Sequence, residues 1–407
     1  MRRVVITGMG AVSPLGNDLG SYWSGVKEGK CGIDFITKFD TSDSAVKIAA
    51  EVRGFNPLDF MDKGDIRRTD LYAQYALGAS IQAMNDSGLK DIDHARFGVY
   101  FSSGIGGMIT FDSESQKLHS GGQSKISPYF ISMMIENTAA GLIAIRHKSQ
   151  GPTLSIVTAC ATSTNTIGEA FRAIKYGHAD VIIAGGSEAT IHPLAIGGFT
   201  NCQALSRKNI PNDSSVPFDK RRDGFVIGEG AGALILEEYE CAKKRGAKIY
   251  AEIKGYGNTC DAYHATAPLP DGSCAARAIT EAISEAEISG DNLYINAHGT
   301  GTLLNDKSET MAIKFALKEK AYKVLISSTK SMIGHCLGAA GALEAIASVM
   351  ALKEGIIPPT IGYKEKDPEC DLDYVPNLAR AKTIGAAIST SMGFGGHNAC
   401  IAFVKAN

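Results

Sequence analysis

Short continuous apolar runs ending in glycine or small hydroxyl residues alternate along this chain with stretches of helical periodicity. Residues 4–7, 97–101, 154–157, 181–184 and 231–236 read as strands, and mostly unbroken apolar character marks strands buried on both faces. Leu71, Tyr75, Leu77, Ile81 and Met84 recur at helical spacing, and Gly88 ends that run. Residues 22–28 and 133–145 predict further helices, the second closing on Arg146, His147 and Lys148, cations suited to the negative end of a helix. Residues 34–65, broken by Asp40, Asp43, Pro57 and Gly64, read as irregular and exposed, and 112–128 as a polar surface loop.

From Lys248 the pattern begins again. Residues 250–257 repeat the strand followed by Gly-x-Gly seen at 4–10, and 324–331 lead into a helix as 154–164 do. Ile356 and Ile357 then follow that helix as Val181 follows the earlier one. The pattern predicts two copies of one β/α unit, residues 1–246 and 247–407, with sheets buried between helical layers. Gly8-Met9-Gly10 resembles the opening of a dinucleotide fingerprint but fails it: Ser13 occupies the third glycine position and Pro14 interrupts the helix entry.

Composition narrows the class. The 407 residues are 44% hydrophobic and 21% charged, ordinary for a globular protein. A net charge of −2 supplies no global field for nucleic acid or an anionic membrane. The nine cysteines form no C-x-x-C pair, which argues against a disulfide framework or zinc ribbon and for a reducing compartment. The apolar run after Met1-Arg2-Arg3 stops too early for a signal peptide. No segment reaches the roughly 20 apolar residues of a membrane span. A cytosolic protein is expected.

Candidate chemistry centres on Thr158-Ala159-Cys160-Ala161-Thr162-Ser163, where a strand gives way to a helix. A thiol at a helix N-terminus lies near unpaired N–H groups and a positive dipole end, which would poise it as a nucleophile near neutral pH. A small buried hydrophobe also satisfies this stretch. The second half contributes His298, His335 and a glycine-rich turn at 393–396. The histidines lack the paired spacing of a zinc site. Glu344 is the only charged residue between Ser331 and Leu352. If buried it needs a partner, and Lys330 is the nearest preceding cation; a solvent-facing glutamate is the alternative.

Together, Thr158–Ser163, Ala297-His298-Gly299-Thr300-Gly301-Thr302, Ser327-Ser328-Thr329-Lys330-Ser331-Met332-Ile333-Gly334-His335 and Gly393-Phe394-Gly395-Gly396 resemble the β-ketoacyl-[acyl-carrier-protein] synthases, and among them the elongating type II enzymes. The resemblance runs from residue 4 to residue 403. It implies a thiolase-like α/β fold of two similar halves in five α-β-α-β-α layers, as a homodimer. It implies that Cys160 takes an acyl chain from the phosphopantetheine arm of acyl carrier protein. His298 and His335 then aid decarboxylation of malonyl-carrier protein, and the resulting carbanion attacks the acyl thioester. Backbone N–H groups of Cys160 and Phe394 would form the oxyanion hole, with Phe394 also gating the thiol. Thr300 and Thr302 would hold the arm, and Ile105 would line the acyl pocket. Lys330, Glu344 and Asp306 would organise charge around the histidines. Neither metal nor other cofactor is called for. Lys63, Arg67, Arg68, Arg207 and Lys208 are candidates for docking the acidic carrier, or ordinary solvated cations. Met392, His397 and Gly301 depart from the phenylalanine, threonine and serine common in these synthases. A polyketide ketosynthase and a non-catalytic chain-length-factor-like partner are the competing readings; the latter lacks the cysteine.

Overall fold

The computed structural model describes residues 1–406. Its first half contributes β1 (Val4–Val12), β2 (Phe97–Ser103), β3 (Thr153–Leu154), β4 (Val181–Glu188) and β5 (Gly230–Glu238). The second contributes β6 (Ala251–Cys260), β7 (Leu293–Asn296), β8 (Leu325–Ser327), β9 (Ala386–Gly393) and β10 (His397–Val404). These strands lie in the order β3-β2-β4-β5-β1-β6-β10-β9-β7-β8, which reads as the same five-strand order outward from the middle. Directions repeat too. β2 is parallel to β3 and β4, as β7 is to β8 and β9. The β4–β5–β1 and β9–β10–β6 runs are antiparallel. β1 and β6 join the halves by pairing Val4–Ile6 antiparallel with Ala251–Ile253.

The principal helices are α1 (Leu19–Glu28), α2 (Leu71–Ser87), α3 (Met108–Gly121), α4 (Thr138–His147), α5 (Thr162–Lys175), α6 (Pro193–Asn201), α7 (Ser273–Glu285), α8 (Leu303–Leu317) and α9 (Ala340–Glu354). α2 and α4 cover the outer face of the first-half strands, α7 and α8 that of the second-half strands, and α5 and α9 are sandwiched between. That is the five-layer α/β arrangement. Every residue of α9 from Ala340 to Leu352 is buried, as its nearly uniform apolar sequence requires.

Paired glycines set the strand-to-helix spacing in both halves. A Cβ on Gly8 or Gly10 would lie 2.2 or 2.1 Å from carbonyls of Ala83 and Ala79 on α2. On Gly255 or Gly257 it would lie 2.1 or 1.9 Å from those of Ala282 and Ala278 on α7. The Gly-x-Gly pairs therefore lie within strands and let a helix backbone approach, an equivalent contact made twice.

Some expectations fail. Residues 154–157 do not form a buried strand: β3 is two residues long and exposed at the sheet edge, and 155–158 are irregular. The expected loop 112–128 is largely the helix α3, tied to the core where Asp70 accepts from the Thr110 N–H (2.8 Å) and hydroxyl (2.6 Å). The helix expected at 133–145 is split into Phe130–Met134 and α4. Residues 34–65 are not wholly exposed, because Asp34–Phe35 pairs with Ile48–Ala49 and buries Val46, Ile48 and Ala50. Among the described residues no helix is long and apolar enough to cross a membrane.

Candidate active site

Each central helix is entered through a short 3₁₀ turn whose first residue has positive φ: Ala159 (52°) before α5 and Leu337 (45°) before α9. A non-glycine residue there is strained, and strain of this kind concentrates at functional sites. Cys160 is the second residue of the first turn, where Gly338 stands in the second. Half-buried, Cys160 packs with Ile105, Met108 and Phe199 against an apolar group that includes Ile196 and Leu337. Burial pushes its thiol up to about 12, opposed by the Lys330 charge and by the N–H groups of Phe394 and Cys160 itself. The sequence expectation of a thiolate poised near neutrality is thus corrected. Desolvation outweighs the helix terminus, and the resting group is a thiol.

His298 follows β7 in a loop held from α8. Glu309 accepts from the backbone N–H groups of His298 and Gly299, both at 2.7 Å, and from the Thr390 hydroxyl at 2.8 Å. His335 donates its backbone N–H to Val226 O (2.7 Å), and its Nδ1 accepts from the Leu337 N–H (3.2 Å). That bond assigns the ring proton to Nε2, which is buried without a protein partner among the described residues. The two rings meet in a T, and Phe225 packs edge-on to His335 with centroids 5.1 Å apart. Burial, then the Lys330 charge, hold both imidazoles well below the usual histidine range. Both are neutral at pH 7.

Lys330 and Glu344 form a direct ion pair and are 1% and 0% exposed. The buried reading of Glu344 therefore holds, and its charge is matched where desolvation would otherwise be prohibitive. One cavity of about 390 Å³ is lined by Cys160, His298, His335, Thr300, Thr302 and Phe394. At its mouth the Thr300 and Thr302 hydroxyls are 2.9 Å apart. The Phe394 turn is set by Gly393, whose Cβ, were there one, would lie 2.5 Å from Thr158 O and 3.3 Å from Cys160 N. The Phe394 ring faces Phe199 at 6.4 Å. Met392 lines the cavity, His397 pairs with Gly393 across the β9–β10 ladder, and Gly301 has φ 77°, a conformation that favours glycine.

Of the other candidates, Ile105 shares the apolar group beside Cys160 without being among the residues that line the cavity, and it follows Gly104, whose N–H reaches Glu188 at 3.0 Å. Asp306 faces neither imidazole; it accepts from Phe218 N (2.7 Å) and Gly301 N (3.2 Å) and lies 3.7 Å from Arg222. Arg207 is exposed just beyond the cavity-lining residues 202–204. Lys208 is half-buried and donates to Arg221 O. Lys63, Arg67 and Arg68 are exposed in and just after the short helix Lys63–Ile66, and Arg68 stacks on Tyr129.

Two buried carboxylates stand outside the sequence expectation. Glu188 ends β4 and accepts from the Ser103 hydroxyl, Gly104 N and Gly338 N at 2.9–3.0 Å, tying the two halves together. Burial raises Glu188 and Glu309 each to about 7, against the donors aimed at them. Glu188 carried a signal, a lone charge closing an apolar strand; Glu309, amid other charged residues, carried none.

Comparison with known proteins agrees with this geometry. Residues 1–242 match the β-ketoacyl synthase N-terminal domain and 250–364 the C-terminal domain. The chain is 50% identical over 408 residues to a 3-oxoacyl-[acyl-carrier-protein] synthase 2 of Synechocystis sp., covering 99% of this chain and 98% of the relative. It is 48% identical to the protein of the same name from Staphylococcus aureus, with the same coverage. A chain from a complex of a type II PKS acyl-carrier protein with its ketosynthase, bound to the hexaketide, superposes with TM-score 0.92 at 36% identity and full coverage of both. Duplicated thiolase-like halves, a cysteine at a strained helix entry and two neutral imidazoles across one cavity belong with these matches: the chain is a member of the β-ketoacyl synthase family.

Proposed function

We propose that the chain is a 3-oxoacyl-[acyl-carrier-protein] synthase, elongating an acyl chain by two carbons through decarboxylative Claisen condensation. The observation that carries this reading is the convergence of Cys160, His298 and His335 on one cavity. The thiol gives its proton to a neutral imidazole as its sulfur attacks the incoming thioester. Of the two rings, His335 has Nδ1 already engaged, which leaves His298 the available acceptor. Acyl transfer to Cys160 releases the first carrier thiol. When malonyl thioester follows, loss of carbon dioxide leaves electrons on C2 and charge on the thioester oxygen, to which the His335 Nε2–H donates. C2 attacks the acyl carbonyl, and the Cys160 and Phe394 N–H groups receive the oxyanion. Collapse yields the 3-oxoacyl thioester and expels the Cys160 thiolate, which takes up one proton from solvent to restore the resting thiol.

Acyl carrier protein is the carrier in this reading, with Arg207, exposed just past the cavity-lining residues 202–204, as a docking cation. The chemistry needs no metal or further cofactor, and the substrates arrive on phosphopantetheine. We also propose a homodimer through the β3 edge, where Leu154 and Val157 are 49% and 44% exposed. A division near residue 246 into two thiolase-like halves and a cytoplasmic location complete the proposal. The catalytic cysteine argues against a silent chain-length partner. Product analysis with a series of acyl-carrier-protein primers and malonyl-carrier protein tests the function. A 3-oxoacyl product two carbons longer than each primer, with carbon dioxide, is expected; free acid alone would overturn it.

A further inference from the structure

Arg222, only 4% exposed, stands behind the entrance wall of the cavity. Its guanidinium donates to Asp367 at 2.5 Å, to Asp219 O at 3.0 Å, and to Thr302 O and Leu303 O, each at 3.3 Å. Asp306, 3.7 Å away, accepts the Gly301 N–H. Three consecutive residues of the wall are therefore fixed from behind: Thr302 and Leu303 by Arg222, which Asp367 anchors, and Gly301 by the neighbouring Asp306. In front of the wall lie the paired Thr300 and Thr302 hydroxyls and the side chains of Leu303 and Leu304, which line the mouth while 59% and 63% exposed.

We propose that Arg222 is a positioning residue for the substrate arm, fixing the Thr300–Leu304 wall so that a pantetheine-type chain is registered as it enters. The proposal rests on the synthase reading above. Such an arm alternates amide N–H and C=O groups and carries geminal methyls, matching two hydroxyls beside an apolar lip. Donating to three carbonyls and the Asp367 carboxylate at once, with Asp306 alongside, requires a planar fork of donors, which a lysine point charge does not offer.

The test compares acyl-pantetheine with acyl-N-acetylcysteamine, which lacks the outer part of the arm, in Arg222→Lys and the milder Asp367→Asn. KM for the pantetheine thioester should rise about tenfold in Arg222→Lys and less in Asp367→Asn. kcat, and KM for the short thioester, should change less than about twofold. Equal losses on both substrates, or none on either, would overturn the proposal. If Arg222→Lys does not fold, Asp367→Asn decides alone by the same split. Thr302→Val separates the two levels. No effect on pantetheine KM there refutes the reading of the entrance hydroxyls. A rise there, without one in the Arg222 and Asp367 variants, refutes only the positioning role.

Discussion

The His298 and His335 rings meet edge to face, centroids 5.2 Å apart and planes at 85°. This pairing brings two neutral imidazoles from separate loops to the same cavity wall, with the His335 proton held on Nε2 by the Leu337 N–H. Removing that donor should harm the step in which an enolate oxygen develops. In His335→Ala, condensation should fall by about 10²–10³, while acyl transfer to Cys160 persists. Quench-flow measurement of the two half-reactions checks this; equal loss in both would assign His335 another role.

The thiol pH dependence follows from its burial. An acid whose pKa is raised to about 12 is protonated at neutral pH, and its anionic fraction grows as pH rises. The iodoacetamide alkylation rate of Cys160, followed by peptide mapping, should keep rising through pH 9. Levelling off below pH 8 would show a resting thiolate.

Lys330 and Glu344 should behave as a unit. Lys330→Met leaves an unpaired buried carboxylate and should cost about 3–5 kcal/mol, much of it recovered in Lys330→Met/Glu344→Leu. Urea denaturation of the two variants checks this. The sign of the accompanying pH effect is fixed: Lys330 lowers both imidazole pKa values, so its removal raises them. The acidic limb of the double variant's rate profile should therefore move to higher pH. An unmoved limb would separate the charge from the histidines.

Gly393→Ala would place a methyl 2.5 Å from Thr158 O and force the Phe394 turn away from Cys160. Condensation should drop at least about tenfold, with thermal unfolding moved by a few degrees at most. Unchanged turnover would show that the turn need not lie so close.

Leu154→Glu should disrupt the proposed dimer by placing charge on the apolar edge, read as a halved mass in light scattering. An unchanged dimer mass would place the interface elsewhere.

Strand positions, the duplication and the buried Lys330–Glu344 pair were legible because each leaves a local mark: an apolar run, a recurring Gly-x-Gly, a lone charge on an apolar helix. What local pattern cannot carry is environment. Cys160 reads as helix-poised, yet its thiol pKa is set by apolar neighbours from distant segments. The resemblance implies Asp306 as a partner of the histidines, whereas the backbone of His298 is held by Glu309, one helical turn further along α8. Residues 154–157 read as a buried strand because they are largely apolar, though the strand ends at Leu154 on the sheet edge and Leu154 and Val157 are exposed. α3 is not legible because its polar sequence shows no apolar stripe and its anchor, Asp70, lies outside it in the chain.

The most direct test is mass-spectrometric mapping of the intact protein after brief exposure to acyl-carrier protein, followed by a chase with malonyl-carrier protein. The acyl group should sit as a thioester on Cys160 alone and then leave as a chain two carbons longer. Acylation at another residue, or discharge of the acyl group as free acid when malonyl-carrier protein is added, would contradict carbon–carbon bond formation at this site.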